Sequence, residues 1–364
     1  MTALLSAMAS LFGRDDDALS VPPMDGVFKP NNRLETAELI LELPAIDNLA
    51  IAGGALYCSS GDALVGVDPT SRSAKPVRRF DGQITMLAGS QSGRIAVGVE
   101  GAGLALLEGI GEPRWLDLPA DWRSCVTAGL FRDEDSLALA IGSRRRRWSD
   151  WKRDLMSHGA SGVAATGRVS TGAFEVVGDN LAFPYGLAAR GGGELIVSES
   201  WRHRVLSVPA DGGAPKAVLD QLPAYPARIA AASDGGFWLA LFAPRRQLTE
   251  FVLQEDDYRD EMMETIPPDA WIGPDFADGG GEEQPLQAGS VRQMGIMKPW
   301  APSRSYGLVV RLDRDAAPTA SFHSRADGRM HGVASVIEFN GRLYAASRGA
   351  EALLGLGLDP DGSR

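Results

Sequence analysis

The feature that most constrains this chain is a phrase that returns six times along it. Each copy is a short apolar segment, a turn bearing Gly or Asp, a second apolar segment and a third, as in DNLAIAGGALYCSSGDALVGVD. A recurring strand unit of about forty residues predicts a β-propeller, because one small sheet must stack on neighbours in a ring to bury both faces. The copies begin at Asp47, Ile84, Val126, Tyr185, Arg228 and Val333.

The segments within each copy predict four strands per blade. The first is small and apolar and the second is bulkier, which suits a wedge that narrows toward the axis. The sixth copy lacks a fourth strand, and the spare segment Ala37–Pro44 is predicted to supply it and close the ring. We therefore predict an all-β fold, a six-bladed β-propeller over residues 37–364, after an N-terminal helix or extension over residues 1–36.

Two connections are too long to be turns. They cover residues 144–166 in blade 3 and 243–306 in blade 5, and the second contains the helical pattern TEFVLQEDDYRDEMMETI. Both lie between the second and third strands of a blade, so helical or loop insertions should project from one face of the ring. There they either cap a pocket or form a packed rim.

Composition excludes some classes of partner. The 364 residues carry a net charge of −11, which argues against a nucleic-acid surface, and the basic run 144–147 reads as a solvated loop. The two cysteines, Cys58 and Cys125, lie in different repeats, so a disulfide scaffold is not expected. A reduced, cytoplasmic location fits this usage.

The N-terminal run MTALLSAMASLFG is apolar but too short to span a bilayer. It also lacks the basic start of a signal peptide. A small docking or frayed helix is the preferred interpretation, and an interfacial membrane anchor and a cleaved signal are the alternatives.

Reactive motifs of the common kinds do not occur. The sequence has no G-x-S-x-G elbow for a serine hydrolase, and no Cys and His spacing typical of zinc. Its GGG runs lack the strand-to-helix context of a phosphate loop and read as turns.

Two segments of the fourth and fifth repeats are more specific than the general pattern. FPYGLAARGGGELIVSESWRHRVLSV and LPAYPARIAAASDGGFWLALFAPRR resemble the strictosidine synthase-like family, a branch of the six-bladed propellers that includes paraoxonases and gluconolactonases. The blade 6 segment EFNGRLYAASRGA is similar to the same family, and the resemblance covers roughly residues 37–358. It implies a small-molecule pocket at one mouth of the central channel, lined by the residues that begin each inner strand.

The resemblance also implies where a metal would lie. The hydrolytic relatives hold calcium with a Glu, two Asn and an Asp, and Asp47 matches the first of these positions. Tyr185 stands at an Asn position, Ala227–Arg228 at the Asp or Asn position, and Val126–Thr127 near the remaining Asn. A guanidinium adds positive charge and cannot be deprotonated, so we expect no cofactor, with calcium as the disfavoured alternative.

Strictosidine synthase itself lacks this metal and uses a catalytic Glu in the last inner strand. That position is Ala334 here, and the nearest carboxylate, Glu338, lies four residues on. The chain therefore resembles the family without carrying either of its reactive sets.

Three residues are candidates for catalysis. His331 precedes the last inner strand and is a candidate general base, as is Asp47, whereas Tyr185 would donate a proton or a hydrogen bond. The structural alternatives are a satisfied loop histidine for His331 and a channel-filling aromatic for Tyr185.

Further residues are candidates for binding an anionic substrate. Arg228 would receive its carboxylate or phosphate, or would instead form an ion pair with Asp47 in the position of the metal. The other predicted contacts are Glu199, Trp201, His203 and Thr127. For Glu199 and His203 the alternative is bracing the turn between two strands, and His158 in the first insertion is expected at the surface unless that loop folds over the pocket.

Three functions remain open at this point. The first is metal-independent hydrolysis of a small ester or lactone, and the second is a condensation or isomerisation of a carbonyl compound or amine. The third is a non-catalytic propeller that binds a small molecule, because this fold serves many purposes.

Overall fold

The computed structural model describes residues 21–109, 111–209, 211–277 and 303–358, and the backbone of a two-stranded hairpin, Arg292–Gln293 with Ile296–Met297. Six antiparallel four-stranded sheets form the described chain. The first strands of neighbouring blades pack against one another around the central axis. The predicted six-bladed propeller, with helical insertions in blades 3 and 5, is confirmed. The N-terminal run MTALLSAMASLFG lies outside the described residues.

The strands of the first three blades follow the predicted repeats. Blade 1 contains Ile46–Ala52, Ala55–Ser60, Ala63–Asp68 and Ser73–Arg79; blade 2 contains Ile84–Gly89, Ile95–Val99, Gly103–Leu107 and Arg114–Leu116; blade 3 contains Val126–Phe131, Ser136–Ile141, Gly162–Arg168 and Ala173–Leu181.

The strands of the last three blades complete the ring. Blade 4 contains Pro184–Ala189, Leu195–Glu199, Arg204–Val208 and Lys216–Leu219; blade 5 contains Ala224–Ala231, Phe237–Pro244, Leu308–Leu312 and Pro318–His323; blade 6 contains Val333–Phe339, Arg342–Ser347, Ala352–Leu356 and Glu38–Glu42.

Helices occur mainly in the two insertions. Helix α1, Trp151–Met156, follows the short 3₁₀ turn Trp148–Asp150 in blade 3, and helices α2, Gln247–Gln254, and α3, Asp256–Thr265, lead to the 3₁₀ turn Pro268–Ala270 in blade 5. Two more 3₁₀ turns are Gly26–Phe28 and Gly191–Gly193. The third strand of blade 3 begins at Gly162, so the first insertion is shorter than the sequence pattern predicted.

The ring closes with a strand from the start of the chain. Glu38–Glu42 pairs antiparallel with Ala352–Leu356 and becomes the outermost strand of blade 6, as predicted. Ile40 is buried in this strand, whereas Leu39 beside it is exposed. The borrowed strand covers the outer edge of Ala352–Leu356, which would otherwise be left unpaired.

Small residues let the inner strands approach closely. A Cβ built at Gly186 in blade 4 would lie 2.8 Å from the Cα of Arg228 and 2.6 Å from the backbone nitrogen of Ile229 in blade 5. Real side chains do not tolerate such contacts with backbone. Glycine here brings the first strand of blade 5 toward the axis and sets the position of Arg228.

Candidate functional site

The site begins with an irregularity shared by all six inner strands. In every blade the pairing of the first and second strands shifts register within the first residues of the inner strand. A β-bulge bends its strand and redirects a side chain. The residues at these six shifts, all buried, are Asp47, Thr85, Thr127, Tyr185, Arg228 and Ala334.

Arg228 and Asp47 form a buried ion pair across the channel. Nη1 of Arg228 lies 2.6 Å from Oδ1 of Asp47, and Nη2 lies 3.5 Å from Oδ2. Nη2 also donates to the carbonyl of Thr85 at 2.9 Å, so the guanidinium links blades 5, 1 and 2. Of the two alternatives for Arg228, the structure shows the ion pair with Asp47.

This donor set does not fit a calcium ion. Calcium takes six to eight oxygen ligands, and here a guanidinium that is always protonated contacts the one carboxylate. No cluster of three or more His, Cys, Asp or Glu side chains suited to a metal occurs in the described part of the chain.

Tyr185 completes the axial group. The guanidinium carbon of Arg228 lies 4.9 Å from the centre of the Tyr185 ring, a cation–π contact. Burial, and then the negative charge of Asp47, raise the pKa of the phenol, and the nearby Arg228 and Arg348 offset part of this rise. The hydroxyl is buried and makes no hydrogen bond of good geometry to the described residues. It is a protonated donor without a fixed acceptor.

A second arginine, which the sequence analysis did not select, reaches the same group. Arg348 lies in the turn between the second and third strands of blade 6, and its Nη1 is 3.8 Å from Oδ2 of Asp47. Its guanidinium carbon lies 3.7 Å from the ring centre of Phe276 and 4.8 Å from that of Trp148. Nη1 has no hydrogen-bond partner among the described residues. Arg348 was present in the blade 6 segment that carried the family resemblance, but a turn Arg gives no sign of its direction.

Aromatic side chains close the mouth above Tyr185. Trp151 from α1 packs edge-on against Phe242 and Phe276, with ring centres 5.7 and 5.3 Å apart. Trp201 stacks on Phe183 at 4.4 Å. These rings enclose only a narrow void, lined by Trp148, Trp151, Phe183, Tyr185, Trp201, Phe242 and Phe276. Water is therefore kept away from the axial ion pair.

The two insertions contact each other at this mouth. Nζ of Lys152 in α1 lies 2.8 Å from Oδ2 of Asp275, and Arg304 also donates to that oxygen at 2.9 Å. Nε2 of His158 lies 2.8 Å from the carbonyl of Leu253 at the end of α2. His158 is exposed, as expected, and its ring also contacts the other insertion.

An open cleft of about 340 Å³ lies between these insertions and the ring. Its floor includes Arg348, Gln83 and Ala45, and its walls include Lys152 and Asp275. Arg348 lines the cleft and contacts Asp47, whose own side chain is almost fully buried. Arg348 and Phe276 therefore separate the cleft from the axial group.

Larger cavities lie away from the axis. One of about 670 Å³ is bordered by Phe322 and Gly355 at the outer side of blades 5 and 6, and one of about 650 Å³ lies beneath Met24 and Pro30. Neither is lined by a residue that contacts the axial ion pair, whereas the smaller cleft is lined by Arg348, which reaches Asp47. We therefore place the candidate site in the smaller cleft.

His331 is held on both sides of its ring. Nδ1 lies 2.8 Å from the hydroxyl of Ser305, and Nε2 lies 2.7 Å from the carbonyl of Arg325. The ring is buried, and a carbonyl can only accept, so Nε2 carries the proton and Nδ1 accepts from Ser305. This arrangement corresponds to the satisfied loop histidine, and it leaves no ring nitrogen free toward the cleft.

Two of the remaining predicted substrate contacts, Glu199 and Thr127, form hydrogen bonds or ion pairs within the ring instead. The buried Glu199 carboxylate accepts from the backbone nitrogen of Ala182 and pairs with Arg202 and Arg204, which braces the turn. The Thr127 hydroxyl donates to backbone carbonyls within the ring.

His203 and Trp201 extend from the same turn in blade 4. The His203 ring packs against Tyr225 at 4.6 Å, and burial lowers its pKa well below the usual value. The indole of Trp201 donates to Asp154 at 2.9 Å and lines the aromatic void. Of the four substrate contacts predicted besides Arg228, Trp201 comes nearest to the mouth.

The chain is similar in sequence to known proteins over most of its length. No family model matches the chain. It is 24% identical to adipocyte plasma membrane-associated protein from Salmo salar, over 91% of this chain and 80% of that protein, and 24% identical to the protein of that name from Danio rerio with the same coverage. No helix in the described part of the chain is long and apolar enough to cross a membrane.

Solved structures share the fold at low identity. The calcium-binding protein regucalcin from Agrobacterium tumefaciens matches with a TM-score of 0.57 and 11% identity, covering 88% of this chain and 93% of that one. A gluconolactonase from Xanthomonas campestris matches with a TM-score of 0.57 and 12% identity, covering 90% and 91%. The likeness to these structures shows the propeller fold.

Proposed function

We propose that this chain, a six-bladed propeller of the kind that regucalcin and gluconolactonases form, is a metal-independent hydrolase of small esters or lactones. One observation carries the proposal: a cleft of about 340 Å³ meets, through Arg348, the buried carboxylate of Asp47. Names of relatives with this fold include gluconolactonases and a luciferin-regenerating enzyme, so the reaction class is compatible with the frame.

The proposed chemistry uses the axial group. When Arg348 turns from Asp47 toward a substrate in the cleft, the substrate carbonyl enters next to Asp47, whose Oδ2 takes a proton from an attacking water as general base. As the tetrahedral intermediate collapses, the C–O bond to the leaving group breaks and Asp47 returns this proton to the leaving oxygen, which releases the alcohol and the acid. The hydroxyl of Tyr185, which has no fixed acceptor, donates to the developing oxyanion. Arg228 holds Asp47 in place. His331 is left out of this role because both ring nitrogens are engaged.

The first experiment measures hydrolysis of a panel of phenyl esters and lactones with and without a chelator. We expect turnover that persists in chelator, and a fall in kcat/KM of about 100-fold or more in Asp47→Asn, the range expected on loss of a general base. Asp62→Asn, an exposed carboxylate paired with Arg79 in blade 1, is the matched control and should retain activity. Turnover that chelator abolishes would contradict the proposal.

Folding is separated from chemistry by a second variant. Asp47→Asn leaves Arg228 buried without its partner, and the double variant Asp47→Asn/Arg228→Gln removes both charges. The double variant should regain stability but not activity. If it regains activity, Asp47 acts only by holding the fold.

The second candidate is a binding propeller without catalysis. It is favoured by the closed mouth, because Asp47 and Tyr185 are each at most 2% exposed as residues. A ligand bound in the cleft without turnover of any ester or lactone would support it.

A further inference from the structure

Arg348 carries a positive charge that its surroundings only partly offset. It shares Asp47 with Arg228, and Arg228 holds the closer position at 2.6 Å against 3.8 Å for Arg348. No other described carboxylate lies within ion-pair distance of Arg348. Two guanidinium groups therefore share one carboxylate, and Arg348 is the more weakly paired of the two.

The other charged side chains that line the cleft are Lys152, Asp269, Asp275 and Glu351. Lys152 and Arg304 both pair with Asp275, and the Glu351 carboxylate accepts from the backbone nitrogen of Ala45 at 3.3 Å. Of the two cations that line the cleft, Lys152 has a close carboxylate partner of its own, whereas Arg348 reaches only Asp47, which it shares with Arg228.

The donors at this point also lack acceptors. Nη1 of Arg348 and the hydroxyl of Tyr185 are both buried atoms without hydrogen-bond partners in the described chain. A buried donor left unpaired is costly, and a planar anion would satisfy it. The guanidinium carbon of Arg348 lies 3.7 Å from the centre of the Phe276 ring, so an aromatic face supports the guanidinium beside the cleft.

We propose that Arg348 is a specificity residue that binds a carboxylate on the substrate, so that the favoured substrates are anionic esters or lactones. Trp151 and Phe276 at the wall suit an apolar or aromatic body between the carboxylate and the scissile bond. This assignment rests on the proposed function, but the binding it describes is measurable without turnover.

The binding test uses benzoate, with benzamide as its neutral isostere, by calorimetric titration. We expect benzoate to bind the wild type at least 10-fold more tightly than benzamide, more weakly as salt rises, and at least 10-fold more weakly to Arg348→Gln, because a charge-assisted pair is lost. Arg342→Gln is the matched control: it is also in blade 6, but pairs with Glu38 away from the cleft. Equal binding of benzoate and benzamide, no benzoate binding at all, or unchanged binding to Arg348→Gln would overturn the proposal.

The substrate test compares 4-nitrophenyl hydrogen succinate with its neutral methyl ester. The wild type should favour the anionic ester by at least 10-fold in kcat/KM, and Arg348→Gln should lose this preference while Arg348→Lys keeps part of it. Arg348 acting only as a packing residue would lower the melting temperature without changing the ratio, and that result would refute the assignment.

The two proposals fail in different ways. Benzoate binding through Arg348 without any ester turnover leaves the carboxylate site standing and removes the hydrolase. Turnover that is equal for the anionic and neutral esters removes the carboxylate site and leaves the hydrolase.

Discussion

At the scale of single residues, burial of the His323 ring makes the stability of the fold depend on pH. His323 ends the outer strand of blade 5, with Nδ1 3.1 Å from the Tyr306 hydroxyl and Nε2 2.9 Å from the Ser321 hydroxyl. Burial lowers its pKa from 6.5 to about 4. The neutral ring is therefore part of the folded state, and protonation opposes folding.

This shift predicts a loss of stability in mild acid. The unfolded chain takes up the proton near pH 6.5 and the folded chain only near pH 4, so stability is complete above pH 6.5 and falls as the pH drops between these values. The difference amounts to about 3 kcal/mol for this side chain. Urea unfolding at pH 7 and 4.5 should show a markedly smaller loss in His323→Gln than in the wild type. The same loss in both proteins would mean that His323 does not titrate as described.

Residues also mark the limit of prediction for the site. Sequence patterns selected Asp47, Tyr185 and Arg228, and the structure brings all three together at the axis. They did not select Arg348, because a turn arginine is ordinarily solvated and only the stacked Phe276 turns it inward. Nor did they show that the Ser305 hydroxyl forms a hydrogen bond with the His331 ring, because these two residues meet only in the tertiary fold.

At the scale of elements, the blade 5 insertion is fixed to the ring by close backbone packing. Gly332, just before the inner strand of blade 6, has a φ of +62°, and a Cβ there would clash with the carbonyl oxygen of Phe276. The same carbonyl would also meet a Cβ at Gly349. The absence of side chains at Gly332 and Gly349 thus lets the backbone of Phe276 pack directly against the ring.

This backbone packing can be tested by adding one methyl group at Gly332. Gly332→Ala should lower the free energy of unfolding by about 2–4 kcal/mol, from backbone strain together with the clash. Gly341→Ala is the control, because its φ is +74° but no atom lies within 4 Å of the added Cβ; it should cost only about 1 kcal/mol. Urea titrations of both variants measure the difference, and equal costs would show that the insertion does not press on Gly332.

The sequence predicts the existence of the strands better than their register and their bounds. The strands of each repeat are predicted because hydrophobic alternation and turn glycines are local signals. The six register shifts were invisible, since a bulge depends on the partner strand and leaves no periodic mark. The sequence pattern also predicts too late a start for the third strand of blade 3. The segment GVAAT, at 162–166, lacks the alternation of polar and apolar residues typical of a strand, so the pattern assigns it to the insertion.

At the scale of the whole molecule, the ring depends on one strand from its beginning. In a closed propeller each blade packs on two neighbours, so the junction of blade 6 with its borrowed strand stabilises all of them. Ile40 is the buried residue of that strand at 3% exposure, and its side chain meets Gly355 of the neighbouring strand. The sequence predicted this closure because the sixth repeat lacked a strand and Ala37–Pro44 was spare.

Closure predicts that a change in the borrowed strand weakens the entire ring and not only blade 6. Ile40→Ala should lower the free energy of unfolding by about 2–4 kcal/mol, the cost of a cavity at a packed position. Leu39→Ala, the exposed neighbour on the same strand, should change it by less than about 0.5 kcal/mol. Far-UV circular dichroism, which follows the strands of all blades, and tryptophan fluorescence, which follows the eight tryptophans of the chain, Trp148, Trp151 and Trp201 at the mouth among them, should shift together in Ile40→Ala. Separate transitions would mean that blade 6 detaches while the other blades stay folded, because the ring then does not unfold as one cooperative unit.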